Sequence, residues 1–96
     1  MAIGLFVRLK TQPGKGPEFE AAFAVQAAGV RSAEPGNRLY ELVRSRDEPD
    51  SYAVMEIYET AEALDAHRTA PHIVENRPKM AGLVAPGTKI EIFDVV

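Results

Sequence analysis

The stretch that decides the fold is residues 38–58, which reads RLYELVRSR at 38–46, DEPD at 47–50 and SYAVMEIY at 51–58. Its two outer parts alternate between apolar and polar side chains, which is the pattern of a half-buried β-strand. The central DEPD combines a proline with three acids, and these residue types are suited to a turn rather than to a sheet interior. The stretch therefore predicts a β-hairpin with strands from Arg38 to Arg46 and from Ser51 to Tyr58.

On both sides of the hairpin the pattern indicates a helix and one further strand. Before it, alternation predicts a strand from Ala2 to Thr11, and helical spacing of apolar residues predicts a helix from Pro17 to about Ala33. After it, the pattern predicts a helix from Ala61 to about Arg68 with Thr60 as N-cap, and a second helix that restarts at Pro71 and extends toward Leu83. A last strand is predicted from Thr88 to Val95.

The order β-α-β-β-α-β is that of the ferredoxin-like split βαβ arrangement. It predicts an α+β fold with a four-stranded antiparallel sheet and the helical segments on one face. The length of 96 residues allows one domain, residues 1–96. Because both faces of the predicted strands carry apolar residues, we expect a homodimer in which two sheets meet across their open faces.

Composition narrows the classes of function. A net charge of −3 with scattered Lys and Arg argues against nucleic acid and against an anionic membrane as the main partner. The absence of Cys excludes disulfides and thiolate chemistry, and it fits a cytoplasmic protein. The apolar run at the N-terminus is too short for a signal peptide, and no run is long enough to span a membrane.

The two histidines of the chain, His67 and His72, are the leading candidates for general acid–base catalysis near neutral pH. His67 lies three residues after Leu64, so we expect it on the sheet side of its helix, and His72 lies in the first turn of the helix that restarts at Pro71. Either could instead be a structural residue bonded to a nearby group. A metal site from this pair alone is not expected, because a zinc-binding pair on a helix is spaced i, i+4 and Pro71 interrupts the helix here.

Arg44 and Glu56 lie on the two strands of the predicted hairpin. A register centred on Glu48 and Pro49 would place them near one another, although that register is open by a residue or two. Arg44 could then bind an anionic oxygen and Glu56 could orient a histidine. The alternative, which we favour, is a cross-strand ion pair.

Aromatic and apolar side chains supply the remaining candidates for contact with a substrate. Tyr58 and Tyr40 could donate a hydrogen bond to a substrate oxygen or stack on a ring, although tyrosines are more often core residues with a satisfied hydroxyl. Phe6 and Met80 are expected in the core and could also line a pocket large enough for a ring.

The segments quoted above, taken together, resemble the antibiotic biosynthesis monooxygenase family of small dimeric α+β barrel proteins. The resemblance covers nearly the whole chain, and it rests on Pro13-Gly14-Lys15, Glu34-Pro35-Gly36, Tyr40 to Ser45, Glu56-Ile57-Tyr58 and the segment from Ala63 to His72. The family includes cofactor-independent quinol and anthrone monooxygenases, haem-degrading enzymes and enzymes that process a phosphorylated autoinducer sugar. The haem-degrading branch uses an Asn, a Trp and a His, and this chain has no Trp.

The resemblance implies a monooxygenase that needs no cofactor and oxidises a small electron-rich aromatic, such as a hydroquinone or an anthrone, with O₂. In such an enzyme His67 or His72 would be the base, and the protein would supply a dry apolar pocket and donors for the oxyanion. Two alternatives stay open at this point. One is proton transfer or isomerisation on a small keto-sugar, and the other is a dimeric binding module without catalysis.

Overall fold

The computed structural model describes residues 1–96 and contains the predicted elements in the predicted order. The strands are β1 (Ile3–Lys10), β2 (Asn37–Arg44), β3 (Ser51–Tyr58) and β4 (Lys89–Asp94), and the helices are α1 (Gly16–Ala33), α2 (Ala61–Thr69) and α3 (Pro71–Ala81). The sheet has the order β2-β3-β1-β4 and every neighbouring pair is antiparallel. The predicted ferredoxin-like α+β fold is confirmed.

The break between α2 and α3 positions both histidines. Thr60 caps α2, since its hydroxyl accepts a hydrogen bond from the backbone N–H of Ala63 at 3.1 Å. Ala70 is extended, with φ −63° and ψ 140°, because the proline that follows disfavours a helical conformation at this position. Pro71 then starts α3, where its missing N–H costs nothing.

The main core lies between the helices and one face of the sheet. Side chains from α1, α3 and the neighbouring strands β2 and β3 meet there, while a smaller cluster lies under α2. The main cluster consists of Phe23, Ala27, Val30, Tyr40, Val54 and Ile73, and the smaller one of Leu5, Tyr58 and Leu64. The helices therefore bury one face of the sheet, as the sequence pattern predicts.

The other face of the sheet is not covered by any helix of the chain. Phe6 and Met55 face each other across β1 and β3 on this side, and Phe93 of β4 is 51% exposed beside Gly4. We call these residues, with Val43, the open face. The homodimer predicted from the apolar pattern of this face stays a prediction.

The hairpin loop is longer than expected, while the register of the two strands lies within one residue of the expected centre. The strands end at Arg44 and Ser51, so the loop spans 45–50 and Asp50 adopts a positive φ of 64°. Arg44 therefore pairs with Tyr52, while Glu56 pairs with Tyr40. Four residues of strand, about 13 Å at 3.3 Å per residue, separate Arg44 from the position opposite Glu56. The expected closeness of these two residues is wrong.

Candidate active site

A single buried carboxylate holds both histidines. Glu34 lies directly after α1, and its side chain is only 9% exposed. Nδ1 of His67 is 2.9 and 3.0 Å from the two carboxylate oxygens, and Nε2 of His72 is 2.5 Å from one of them. Three separate elements thus converge on one carboxylate, and we call Glu34, His67 and His72 the imidazole–carboxylate cluster.

Local packing explains why His72 reaches the carboxylate. Its ring lies against α1 at Gly29, where a Cβ atom would come within 3.0 Å of the imidazole. Such a distance is tighter than ordinary van der Waals contact, so the absence of a side chain at Gly29 allows α3 to approach α1 here. His67 reaches the same carboxylate from the buried side of α2, where Leu64 is also buried.

The contacts assign the protons of the cluster. A carboxylate only accepts hydrogen bonds, so each neutral imidazole must carry its proton on the nitrogen that faces Glu34. A neutral His67 is then the Nδ1–H tautomer with a lone pair on Nε2, and a neutral His72 would be the Nε2–H tautomer with a lone pair on Nδ1. Burial lowers the pKa of His67 below its ordinary value, and the nearby charge of Glu34 partly opposes this effect. His67 is therefore neutral near pH 7 and is oriented by a carboxylate, as a general base must be.

Two tyrosines cover His67. The ring centroids of Tyr58 and Tyr40 lie 5.2 and 5.5 Å from that of the imidazole. The Tyr58 hydroxyl donates to Glu56 at 2.7 Å. Burial raises the pKa of both tyrosines and of Glu56, so the two hydroxyls stay neutral donors at physiological pH. Glu56 thus bonds a tyrosine and not a histidine; the carboxylate that orients the histidines is Glu34.

A cavity of about 470 Å³ lies between α1, α3, β1 and the segment that joins α3 to β4. Its volume falls within the range of small-molecule sites in proteins, roughly 300–1,000 Å³. Most of its walls are apolar, and the exceptions are Gln26, Arg77 and Thr88. The lining residues are Leu9, Phe19, Gln26, Ile73, Arg77, Met80, Ala81, Val84, Ala85, Pro86 and Thr88.

Tyr40 contacts both the cluster and the cavity wall. Its ring packs beside His67, and its hydroxyl accepts a hydrogen bond of 2.7 Å from Gln26, which lines the cavity. Gln26 in turn accepts from Asn76 at 3.2 Å, and Asn76 also donates to the carbonyl of Ala22 at 3.0 Å. A chain of buried polar groups therefore runs from α3 through α1 to the ring next to His67.

The structure brings together some of the residues singled out in the sequence and separates others. His67, His72, Tyr40 and Tyr58 form one group with Glu56 beside it, and Met80 lines the cavity as expected. Arg44 lies outside this group and pairs with Glu20 at 3.0 Å on the exposed side of α1. Phe6 lies on the open face, away from both the cluster and the cavity. Arg44 and Phe6 do not line the cavity between α1 and α3, and their contact with a substrate stays a prediction.

Three residues of the site were missed in the sequence: Glu34, Gln26 and Asn76. A carboxylate at the C-terminal end of a helix faces the negative end of the helix dipole, and this unfavourable placement is a signal that Glu34 has another role. Gln26 lies three residues after Phe23 on the apolar stripe of α1, and Asn76 lies three residues after Ile73 on α3. A polar side chain on a buried stripe needs a partner, so both positions carried a readable signal.

Comparison with known proteins places the chain in a family. The sequence profile of the family described as "Antibiotic biosynthesis monooxygenase" matches residues 2–77. The chain belongs to this family. Membership supports a monooxygenase at the level of reaction class and leaves the substrate open.

Individual members show how close the resemblance is. A heme oxygenase (mycobilin-producing) from Mycobacterium tuberculosis is 32% identical over 88 residues, which cover 92% of this chain and 83% of that protein. The structure of a candidate antibiotic biosynthesis monooxygenase from Caulobacter crescentus CB15 is 37% identical with a TM-score of 0.95, over 99% of this chain and 90% of the other. SnoaB, a cofactor-independent oxygenase from Streptomyces nogalater, is 22% identical with a TM-score of 0.86, over 99% and 93%, and this likeness shows the fold alone.

The residues of this family member do not fit haem. A histidine ligand needs a ring nitrogen that is free and faces a cavity for the macrocycle. Here Tyr40 and Tyr58 pack against His67, and neither histidine lines any of the three main cavities. No group of three or more His, Cys, Asp or Glu side chains is placed to hold a metal ion. None of the three helices is both long enough and apolar enough to cross a membrane.

Proposed function

We propose that this protein is a cofactor-independent monooxygenase that oxidises a small electron-rich aromatic, such as a hydroquinone or an anthrone, with O₂. The observation that carries the proposal is the buried carboxylate of Glu34, which hydrogen-bonds one ring nitrogen of each histidine and so orients both imidazoles. An oriented neutral imidazole is the group that removes a proton from a hydroxyl near neutral pH. Membership in the family and the fold shared with SnoaB support the same reaction class.

The reaction needs only proton transfer from the protein. A hydroquinone or anthrone that loses its hydroxyl or enol proton becomes electron-rich enough to give one electron to O₂. This transfer gives a substrate radical and superoxide, which combine with a proton to a hydroperoxide. The hydroperoxide then loses water and leaves a carbonyl. One oxygen atom ends in the product and the other in water, and all four electrons come from the substrate. The base accelerates the first step, and general base catalysis contributes about 10²–10⁴-fold.

We assign the substrate to the cavity between α1 and α3, whose mostly apolar walls suit an aromatic ring. Among the residues first considered for substrate contact, Met80 lines this cavity and Tyr40 lies at its polar wall. His67 is one side chain away behind Tyr40, so its Nε2 must reach the substrate hydroxyl through a bound water or a small ring movement. Catalytic hydrogen bonds often close only when the ligand is bound.

The same imidazoles would also serve proton transfer on a keto-sugar, as in the autoinducer-processing branch of the family. The walls of the cavity favour the aromatic substrate, because a sugar would bury hydroxyl groups against apolar side chains without partners. A binding module without catalysis would have no use for two oriented bases.

The test is oxygen consumption by metal-stripped protein with a panel of hydroquinones and anthrones, beside an autoxidation control without protein. We expect consumption above the control, and a loss of about 10²-fold or more in His67→Ala. Arg44→Gln, which changes an exposed residue outside the site, is the matched control and is expected to keep full rate. Absence of consumption across the panel would overturn the oxygenase proposal, and turnover that depends on added haem would overturn its independence of a cofactor.

A further inference from the structure

The cavity contains one charged group, and that group has no acidic partner. Arg77 lines the cavity at its exposed rim, and its guanidinium donates to the backbone carbonyl of Arg68 at 2.8 Å. No carboxylate lies within 4.0 Å of it, whereas Arg31, Arg44 and Arg68 each pair with an acid. No Asp, Glu or His lines the cavity. A guanidinium has five N–H donors, so Arg77 keeps four for a ligand.

The orientation of Gln26 adds a second donor. The carbonyl of Ala22 fixes the amide nitrogen of Asn76 as a donor, and the other proton of that nitrogen goes to the side-chain oxygen of Gln26. The nitrogen of Gln26 must then face the hydroxyl of Tyr40, as observed at 2.7 Å. This contact uses one of its two protons, and no hydrogen bond in the structure uses the other. Gln26 is buried and lines the cavity, so the free proton is available to a ligand there.

The two donors belong to one wall of the cavity. Asn76 bonds Gln26 and directly precedes Arg77 in α3, and Gln26 and Arg77 both line the cavity. Around them the walls are apolar and carry no negative charge. Such a site has no negative charge that would repel an anion. Arg77 offers a positive charge to an oxygen atom of the ligand, and Gln26 offers an N–H. Charge-assisted hydrogen bonds are roughly twice as strong as neutral ones.

We propose that this cavity binds its aromatic ligand as an oxyanion, a phenolate or enolate, with Arg77 and Gln26 as the recognising donors. The inference rests on the proposed function and deepens it, because it names the ionised form that the site selects. Preference for the anion lowers the pKa of the bound hydroxyl, so the base removes a proton that the cavity has already acidified. Gln26 and Arg77 are therefore specificity-determining residues of the oxidation.

The test uses 4-nitrophenol, whose absorbance distinguishes phenol from phenolate and which is not a substrate for oxidation. We expect the phenolate to bind at least tenfold more tightly than the phenol, which appears as a lowering of the bound probe's pKa by about one unit. The methyl ether, 4-nitroanisole, cannot ionise and is expected to bind no better than the neutral phenol. Arg77→Met should abolish the preference, and Gln26→Leu should reduce it.

Lys79→Met is the matched control, since it removes one positive charge from the same helix outside the cavity. It should leave the preference intact. Because Gln26 is buried, the exposed Arg77 carries the primary test. Equal binding of phenolate and ether, a preference that survives Arg77→Met, or no binding of the probe at saturation would overturn the inference. A clear phenolate preference without oxygen consumption by hydroquinones would overturn the oxygenase proposal and leave this one standing.

Discussion

Substitution of Glu34 by glutamine is the most informative perturbation of the site, because glutamine keeps the size of the side chain and changes only its hydrogen-bonding chemistry. The carboxylate accepts a bond from both His67 and His72. A glutamine amide has one accepting oxygen and one donating nitrogen, so it can satisfy the present tautomer of one imidazole only. The other imidazole must move its proton to its second nitrogen and accept from the new amide.

The magnitude follows from the two bonds. A hydrogen bond to a charged group contributes about 1.5–3 kcal/mol and a neutral one about 0.5–1.5. Two bonds that change from charged to neutral, with a discount for the 22% exposure of the His72 side chain, lower the free energy of unfolding by roughly 1–3 kcal/mol. In a domain of this size each kcal/mol lowers Tm by about 4–8 °C. Turnover should fall between about tenfold and a thousandfold, since the base loses its orientation and part of its 10²–10⁴-fold contribution.

Three measurements check this prediction for Glu34→Gln: thermal unfolding, oxygen consumption, and nitrogen NMR of the imidazoles. In the native protein we expect His67 with its proton on Nδ1 and His72 with its proton on Nε2, and one of the two assignments should reverse in the variant. Glu41→Gln is the control, because that carboxylate pairs with Arg31 at 3.2 Å and is 56% exposed. It should cost no more than about 1 kcal/mol. A Glu34→Gln protein with native turnover and unchanged tautomers would refute the reasoning.

Four further outcomes are expected. Because burial lowers the pKa of His67, kcat/KM should fall on acidification with a midpoint below pH 6.5. The unfolded chain takes up this proton at a higher pH than the folded chain does. The free energy of unfolding should therefore decrease as the pH falls from the pKa of His67 in the unfolded chain to its pKa in the folded chain. Gly29→Ala should lower Tm despite the better helix propensity of alanine, whereas Gly82→Ala, with ordinary contacts of 3.7 Å, should not. Arg44→Ala should keep native turnover and lose less than about 1 kcal/mol, measured by denaturant unfolding. Sedimentation at micromolar concentration should show a dimer that Phe93→Glu dissociates, and a monomeric native protein would contradict the pairing of the open faces.

The elements of the fold could be predicted because their signals are local. Alternation located Ser51–Tyr58 at both ends, and the proline at position 71 located the break between α2 and α3. The length of the hairpin loop could not be predicted in the same way. It depends on where the chain leaves the sheet, and the left-handed conformation of Asp50 helps to close a loop longer than the four turn residues suggest. Arg44 lies far from Glu56 because four residues of strand separate it from Tyr40, the residue opposite Glu56, and no register within a residue or two of the expected centre closes that gap.

The site could be predicted only in part, because its defining contacts are distant in sequence. Both histidines were identified from residue type alone, but Glu34 lies 33 and 38 residues before them and meets them only in the folded chain. Gln26 and Asn76 are 50 residues apart and likewise meet only when α1 packs on α3. Each of these three residues nevertheless violates a local rule, either as an acid at a helix C-terminus or as an amide on a buried stripe.

These violations favour chemistry over stability as the reason for the polar interior. A buried carboxylate loses its hydration, and the two hydrogen bonds that it gains at best compensate for that loss, so apolar side chains of similar volume in place of Glu34, His67 and His72 together would serve the core as well or better. The same holds for Gln26, Asn76 and the hydroxyl of Tyr40, which form a polar chain that three apolar side chains would replace without unsatisfied groups. Tyr40 joins both sets, with its ring beside His67 and its hydroxyl on Gln26. A core built only for folding has no need of a polar connection between a base and a cavity, whereas an enzyme that deprotonates an apolar substrate requires one.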